Sequence, residues 1–179
     1  IFMGVLGAAV TYVPSSLHHR AGLSVVVAGG LLAVLQLGGL LGRMAWGLFS
    51  DRIGSRSLTM GICGGLATLA CLLMAWLGHP GVPIIALAGI AALLGLSAMG
   101  WNALYITLTA EAVPIQHAAS AVGVGTAITF TGMFVGAPLF GLLADRSGGF
   151  VLPWAALGLW ALLGTIVVLS VRTPRPGIA

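Results

Sequence analysis

Ten charged side chains are all that this chain of 179 residues can offer to water. They are seven Arg, with no Lys, and the acids Asp51, Glu111 and Asp145. A soluble domain carries about a quarter of its residues as Asp, Glu, Lys or Arg, because its outside must be coated with groups that water solvates. Here that share is 6%, against 59% hydrophobic residues and a mean hydropathy of +1.14. No water-facing shell can be built from ten charges, so most of the surface must meet lipid. The chain reads as an all-α integral membrane protein.

A helix needs about 20 residues to cross the hydrocarbon core. Apolar runs set against polar, Pro and Gly breaks predict six spans, at 1–17, 23–46, 58–78, 83–110, 118–143 and 151–171. Together they form one six-helix transmembrane domain with no room for a soluble one. The chain starts Ile-Phe-Met-Gly, without an initiator Met or a signal-peptide charge pattern, and on that basis reads as a piece of a longer polypeptide. Arg43, Arg52, Arg56, Arg172 and Arg175 fall at one set of span ends, Arg20 and Arg146 at the other. The positive-inside rule then places the loop between spans two and three, and both termini, in the cytoplasm.

Several function classes are excluded by what surrounds the few polar residues. The Arg residues are scattered between apolar runs, unlike the clustered basic patch of a nucleic-acid binder, so no nucleic-acid partner is expected. His18, His19, His79 and His117 are read as loop residues without metal-ligand spacing, and no cofactor is expected. The acids sit at helix ends and supply no catalytic constellation, which argues against an enzyme. Cys63 and Cys71, eight residues apart on one predicted helix, are about 12 Å apart along its axis, too far for a disulfide, and read as packing residues. Glycines four apart, at Gly38/Gly42, Gly61/Gly65 and Gly132/Gly136, suit the close backbone approach by which helices pack in lipid.

The most specific motif is Gly47-Leu48-Phe49-Ser50-Asp51-Arg52-Ile53-Gly54-Ser55-Arg56. A short connection between spans uses glycine to reverse direction, an Asp near a helix start can bind its orphan N–H groups, and Arg residues hold the loop at an anionic leaflet. This segment resembles the G-x-x-x-D-R-x-G-x-R signature of the major facilitator superfamily, which lies between the second and third helices of each six-helix half. Gly132 to Gly141, with Pro138 inside, resembles the glycine–proline fifth helix of a half. A kink is expected at Pro138, whose ring removes one hydrogen bond and clashes with the carbonyl of Phe134. Gly141 to Phe150, Glu111-Ala112-Val113-Pro114 and Gly100-Trp101-Asn102 also resemble the family's C-terminal half. The signature is thinner than usual after its last glycine, with Ser55 and Ser57 flanking Arg56.

The resemblance covers the whole chain and implies the C-terminal half of a twelve-helix transporter whose N-terminal six-helix half is the missing partner. It implies secondary active transport of a small molecule by alternating access about a midplane site, in a bacterial inner membrane with lipid as the surrounding partner. In that family the first and fourth helices of a half line the cavity, so Tyr12, Trp101, Asn102 and Tyr105 become substrate-binding candidates. Gly47, Asp51, Arg52, Gly54, Arg56, Arg43, Glu111 and Pro138 become gating candidates. Of the polar residues at membrane depth, where such groups are rare and functional by default, Gln36 and Asn102 are the amides; Thr109, Thr126, Thr129 and Thr131 complete the set. The Gly-Trp-Asn segment and Glu-x-x-Pro resemble permeases for small organic anions, with Arg43 the one Arg inside an apolar run. The alternatives are efflux of lipophilic drugs and a stand-alone homo-oligomeric channel or scaffold.

Overall fold

A computed structural model of the chain describes residues 1–170, and every element among them is helical. The helices are α1 (Phe2–Ala21), α2 (Val25–Ile53), α3 (Arg56–Leu77), α4 (Ile84–Ala98), α5 (Trp101–Glu111), α6 (Ala118–Ser147) and α7 (Val151–Ser170), with a 3-10 turn at Ile115–His117 before α6. Arg172, Arg175 and the last residue of the predicted sixth span lie outside the described residues.

Among the described residues, five segments are long and apolar enough to cross a membrane: Val25–Ile53, Arg56–Leu77, Ile84–Glu111, Ile115–Ser147 and Val151–Ser170. The sequence predicted six. α1 has the length, 20 residues, but Thr11, Tyr12, Pro14, Ser15, Ser16, His18 and His19 lower its hydropathy. It lies inside the bundle, where helix neighbours rather than lipid cover it, with Val5, Ala8, Ala9, Val13 and Leu17 fully buried.

The helix boundaries depart from the predicted spans where polar residues were read as loop. α1 runs through Pro14 and Ser15 to Ala21, so His18 and His19 are helical. Arg20 then donates to Met74 O (3.2 Å) and Ala75 O (3.0 Å), satisfying carbonyls at the end of α3 that its own helix leaves open. α2 continues seven residues past the predicted end at 46, so Gly47 to Ile53 is helix and the loop shrinks to Gly54 and Ser55. Only a residue at ease with positive φ ends the helix there, and Gly54 does so at φ 67°. The fourth span is two helices: α4 gives way at Met99 and Gly100 to α5.

Three helix pairs carry most of the packing: α1 with α6, α2 with α4, and α3 with α7. Glycine sets two of these approaches. A Cβ on Gly42 would sit 2.9 Å from Leu96 Cα, and one on Gly136 would sit 2.5 Å from Gly4 Cα. Gly65, by contrast, faces open space, so its spacing from Gly61 is not a crossing motif. Trp46 adds a cross-link from α2 to α4, its indole N–H donating to Leu96 O at 2.8 Å. Cys63 and Cys71 are buried and unbridged, as packing residues should be. At the other extreme, α6 buries only Phe140 among its 30 residues. The side of α6 turned away from α1 is uncovered.

Candidate functional site

At one end of the bundle three helix termini are tied by one guanidinium. Arg56, the first residue of α3, donates from Nε to Glu111 Oε2 (2.6 Å) and from Nη2 to Glu111 Oε1 (2.7 Å), a two-pronged contact with the last residue of α5. Its Nη1 donates to Asp51 Oδ1 in α2 at 3.3 Å. Asp51 does not cap α3, contrary to the expectation for this motif. The cap is Ser55, whose hydroxyl accepts from Leu58 N–H at 3.4 Å, because helical residues 51–53 hold Asp51 one turn back on α2. Arg52 is exposed beside it.

Further into the bundle, Trp101 at the start of α5 is buried against Phe2 of α1 (ring centroids 5.8 Å) and Tyr105 (5.7 Å). Its indole N–H has no hydrogen-bond partner among the described residues, a costly condition for a buried donor. Trp101, Tyr105 and Thr129 line a cavity of about 180 Å3 with Phe2, Met60 and Val168. Asn102 and Thr109 are half-buried on the same helix, in one stripe with Tyr105 at i, i+3 and i+7. The structure brings Trp101 and Tyr105 together at this cavity, while Asn102 is not among its lining residues.

Tyr12 is elsewhere. It stacks on Phe140 at 4.7 Å and lies over Gly141, while the Tyr105 hydroxyl lies over Gly125. Sixteen residues of α6 separate those two glycines, about 24 Å of helix. The first and fourth spans do meet, but it is the beginning of α1 that faces Trp101, so Tyr12 sits about 15 Å further along.

Arg43 and Gln36 share a feature that spacing could have revealed. Seven residues apart on α2, they fall on one side of the helix, about 10 Å apart, and both are exposed. Gly29 and Gly47, on the same side, have nothing within 4 Å. Arg43 forms no ion pair among the described residues. A Gln and an Arg on an apolar span are expensive against lipid.

Comparison with known proteins bears on what such a bundle is. Residues 1–178 match the sequence profile of the Major Facilitator Superfamily. The chain belongs to that superfamily. Named relatives include an uncharacterised MFS-type transporter of Mycobacterium tuberculosis strain H37Rv, 30% identical over 161 residues, which is 90% of this chain and 35% of that protein. An MFS-type transporter of Gibberella moniliformis is 27% identical over 131 residues, 73% of this chain and 31% of that protein. The chain thus spans about a third of the length of the curated relatives it matches. Within this superfamily chain the predicted gating residues fall into three places: Asp51, Arg52, Gly54, Arg56 and Glu111 gather at the α2–α3–α5 end, Gly47 and Arg43 lie on the open side of α2, and Pro138 lies inside α6, which continues unbroken to Ser147.

Proposed function

We propose that residues 1–179 form one six-span half, the C-terminal one, of a twelve-span secondary transporter that carries a small organic anion by alternating access. In this reading α1 also crosses the membrane, as the first of the six spans, the protein sits in a bacterial inner membrane, and its Arg56 end faces the cytoplasm. The uncovered sides of α2 and α6 face the missing N-terminal half across the substrate path. Trp101, Asn102 and Tyr105 line that path at one level and Tyr12 near its other mouth. Gly47, Asp51, Arg52, Gly54, Arg56 and Glu111 belong to the cytoplasmic gate, and Pro138 to the helix that rocks. Superfamily membership and the names of the relatives support transport rather than catalysis.

One observation carries the anion reading: Arg43 stands exposed and unpaired on an apolar span, in line with Gln36, on a side that lipid cannot cover cheaply. A guanidinium is always charged and offers a planar fork that matches a carboxylate. The test is counterflow of labelled mono- and dicarboxylates in proteoliposomes holding the protein expressed from its own gene. Arg43→Gln should abolish exchange and Arg43→Lys should keep part of it, with both variants inserting normally. Carboxylate exchange indifferent to Arg43→Gln would overturn the assignment. Transport of lipophilic cations instead would favour drug efflux. Saturable uptake by residues 1–179 alone would favour the homo-oligomer.

A further inference from the structure

A second concave feature lies away from α2 and α5. α6 packs chiefly on α1, and α7 chiefly on α3, so the two consecutive helices leave a crevice between them of about 330 Å3. Gly4 and Gly136 form part of its wall at the α1–α6 crossing, Leu143, Leu157 and Trp160 line its sides, and Arg146 stands in its lining toward the α6–α7 turn. The two glycines deepen it, since neither projects a side chain. Trp160 has its one donor engaged, the indole N–H bonding to Ile1 O at 3.2 Å, and so adds apolar surface.

Arg146 is exposed in the last turn of α6 and forms no ion pair among the described residues. Asp145 precedes it but points about 100° away around the helix. From Arg146 to Gly136 is ten residues, about 15 Å of helix. That is half of the roughly 30 Å hydrocarbon core, the depth of one leaflet. An apolar channel one leaflet deep with an unpaired cation at the end near the membrane surface is complementary to one molecule: a lipid with an anionic headgroup.

We propose that this crevice binds a single anionic phospholipid from the leaflet on the Arg20–Arg146 side, its phosphate on Arg146 and one acyl chain laid between α6 and α7 as far as Gly4. The site is distinct from the substrate path, which runs along α2 and α5, and it survives whatever cargo the protein carries.

The test uses the protein expressed from its own gene, in nanodiscs of phosphatidylcholine and phosphatidylglycerol, with retained lipid counted by native mass spectrometry after detergent transfer. The wild type should keep one phosphatidylglycerol in preference to phosphatidylcholine. Arg146→Gln should lower that preference about fivefold, the effect of one basic residue at an anionic surface, and Arg146→Lys should retain most of it. Arg52→Gln, at the opposite end, should leave that lipid preference unchanged. Ala156→Phe, which fills the crevice wall, should remove both lipids. An unchanged preference in Arg146→Gln overturns the proposal. So does an equal loss in Arg146→Gln and Arg52→Gln, which would mark a general charge effect. Arg146 is exposed at a helix end, so that comparison stands even where Ala156→Phe fails to insert.

Discussion

Alanine at Gly136 tests the close backbone approach between α1 and α6. A Cβ built there lies 2.5 Å from Gly4 Cα, 2.6 Å from Gly4 O and 2.8 Å from Gly4 C, whereas ordinary contact begins at 3.4 Å. The neighbours are backbone atoms, so no rotamer change relieves the clash. α1 and α6 must part by about 0.9 Å, the difference between 3.4 and 2.5 Å. A gap of that size forfeits roughly a quarter to a half of the dispersion attraction at each affected contact, and in lipid dispersion supplies much of what holds helices together. Overpacking of this kind typically costs about 1–3 kcal/mol, while Ala returns up to about 1 kcal/mol of helix propensity over Gly. The net expectation is a loss of about 1–2 kcal/mol. Gly65 in α3 is the control: it has nothing within 4 Å, so Gly65→Ala should be neutral or stabilise by up to about 1 kcal/mol. Unfolding by SDS in mixed micelles, followed by tryptophan fluorescence, reads both. Gly136→Ala within about 0.5 kcal/mol of the wild type, or the same sign at both positions, would refute the α1–α6 crossing.

Other consequences are as direct. Arg56 and Glu111 should be coupled in a double-mutant cycle by up to about 1 kcal/mol, as expected for a partly exposed ion pair, which is a shift of about fivefold in the ratio of inward- to outward-facing forms measured by thiol accessibility; additive single effects would break the link. Ser55→Ala should destabilise the protein by about 1 kcal/mol through loss of the α3 cap. Asp51→Ala should cost less, since its side chain is 66% exposed and its contact is 3.3 Å, and a larger loss at Asp51 in the same unfolding assay would reverse the cap assignment. Gly125→Ala drives a methyl into the Tyr105 hydroxyl and should raise the KM for substrate while leaving the unfolding midpoint unchanged; an unaltered KM would remove Tyr105 from the path.

The all-helical membrane character was legible from ten charges in 179 residues, and the superfamily from the segment around Asp51 and Arg56. Helix ends were not. Polar residues such as His18 and Arg20 mark a loop only if nothing satisfies them, and here His18 Nδ1 lies 2.7 Å from Leu23 O and Arg20 bonds the carbonyls of Met74 and Ala75, 54 and 55 residues away. The contact of Trp101 with Tyr105 followed from their spacing of four on one helix. The isolation of Tyr12 did not, because it depends on how far α1 slides along α6, which is set by Gly4 meeting Gly132 and Gly136. The pairing of Arg56 with Glu111, likewise 55 residues apart, leaves no trace in local spacing. The alignment of Gln36 with Arg43 was visible at a spacing of seven, and only the absence of a covering helix made it informative.

The charges at the Arg56 end are arranged against their helices. A cation is favoured at a helix C-terminus and an anion at an N-terminus, each by about 0.3–1 kcal/mol. Here Arg56 opens α3, Glu111 closes α5 and Asp51 lies in the last turn of α2. Each group alone would weaken the helix that bears it. Their mutual contacts offset that penalty only while the three termini stay together. Separation exposes each charge to an unfavourable dipole, yet the pair itself is exposed enough to be worth about 1 kcal/mol at most. A buried apolar contact at the same place would hold the ends far more firmly. Three opposed charges form a latch that resists opening weakly and closes in one register, because only a guanidinium reaching two carboxylates from a fixed helix start satisfies all three. Weak closure with a defined register is what a gate between two similarly populated states requires, and it supports the gating role proposed for Asp51, Arg56 and Glu111 independently of any cargo.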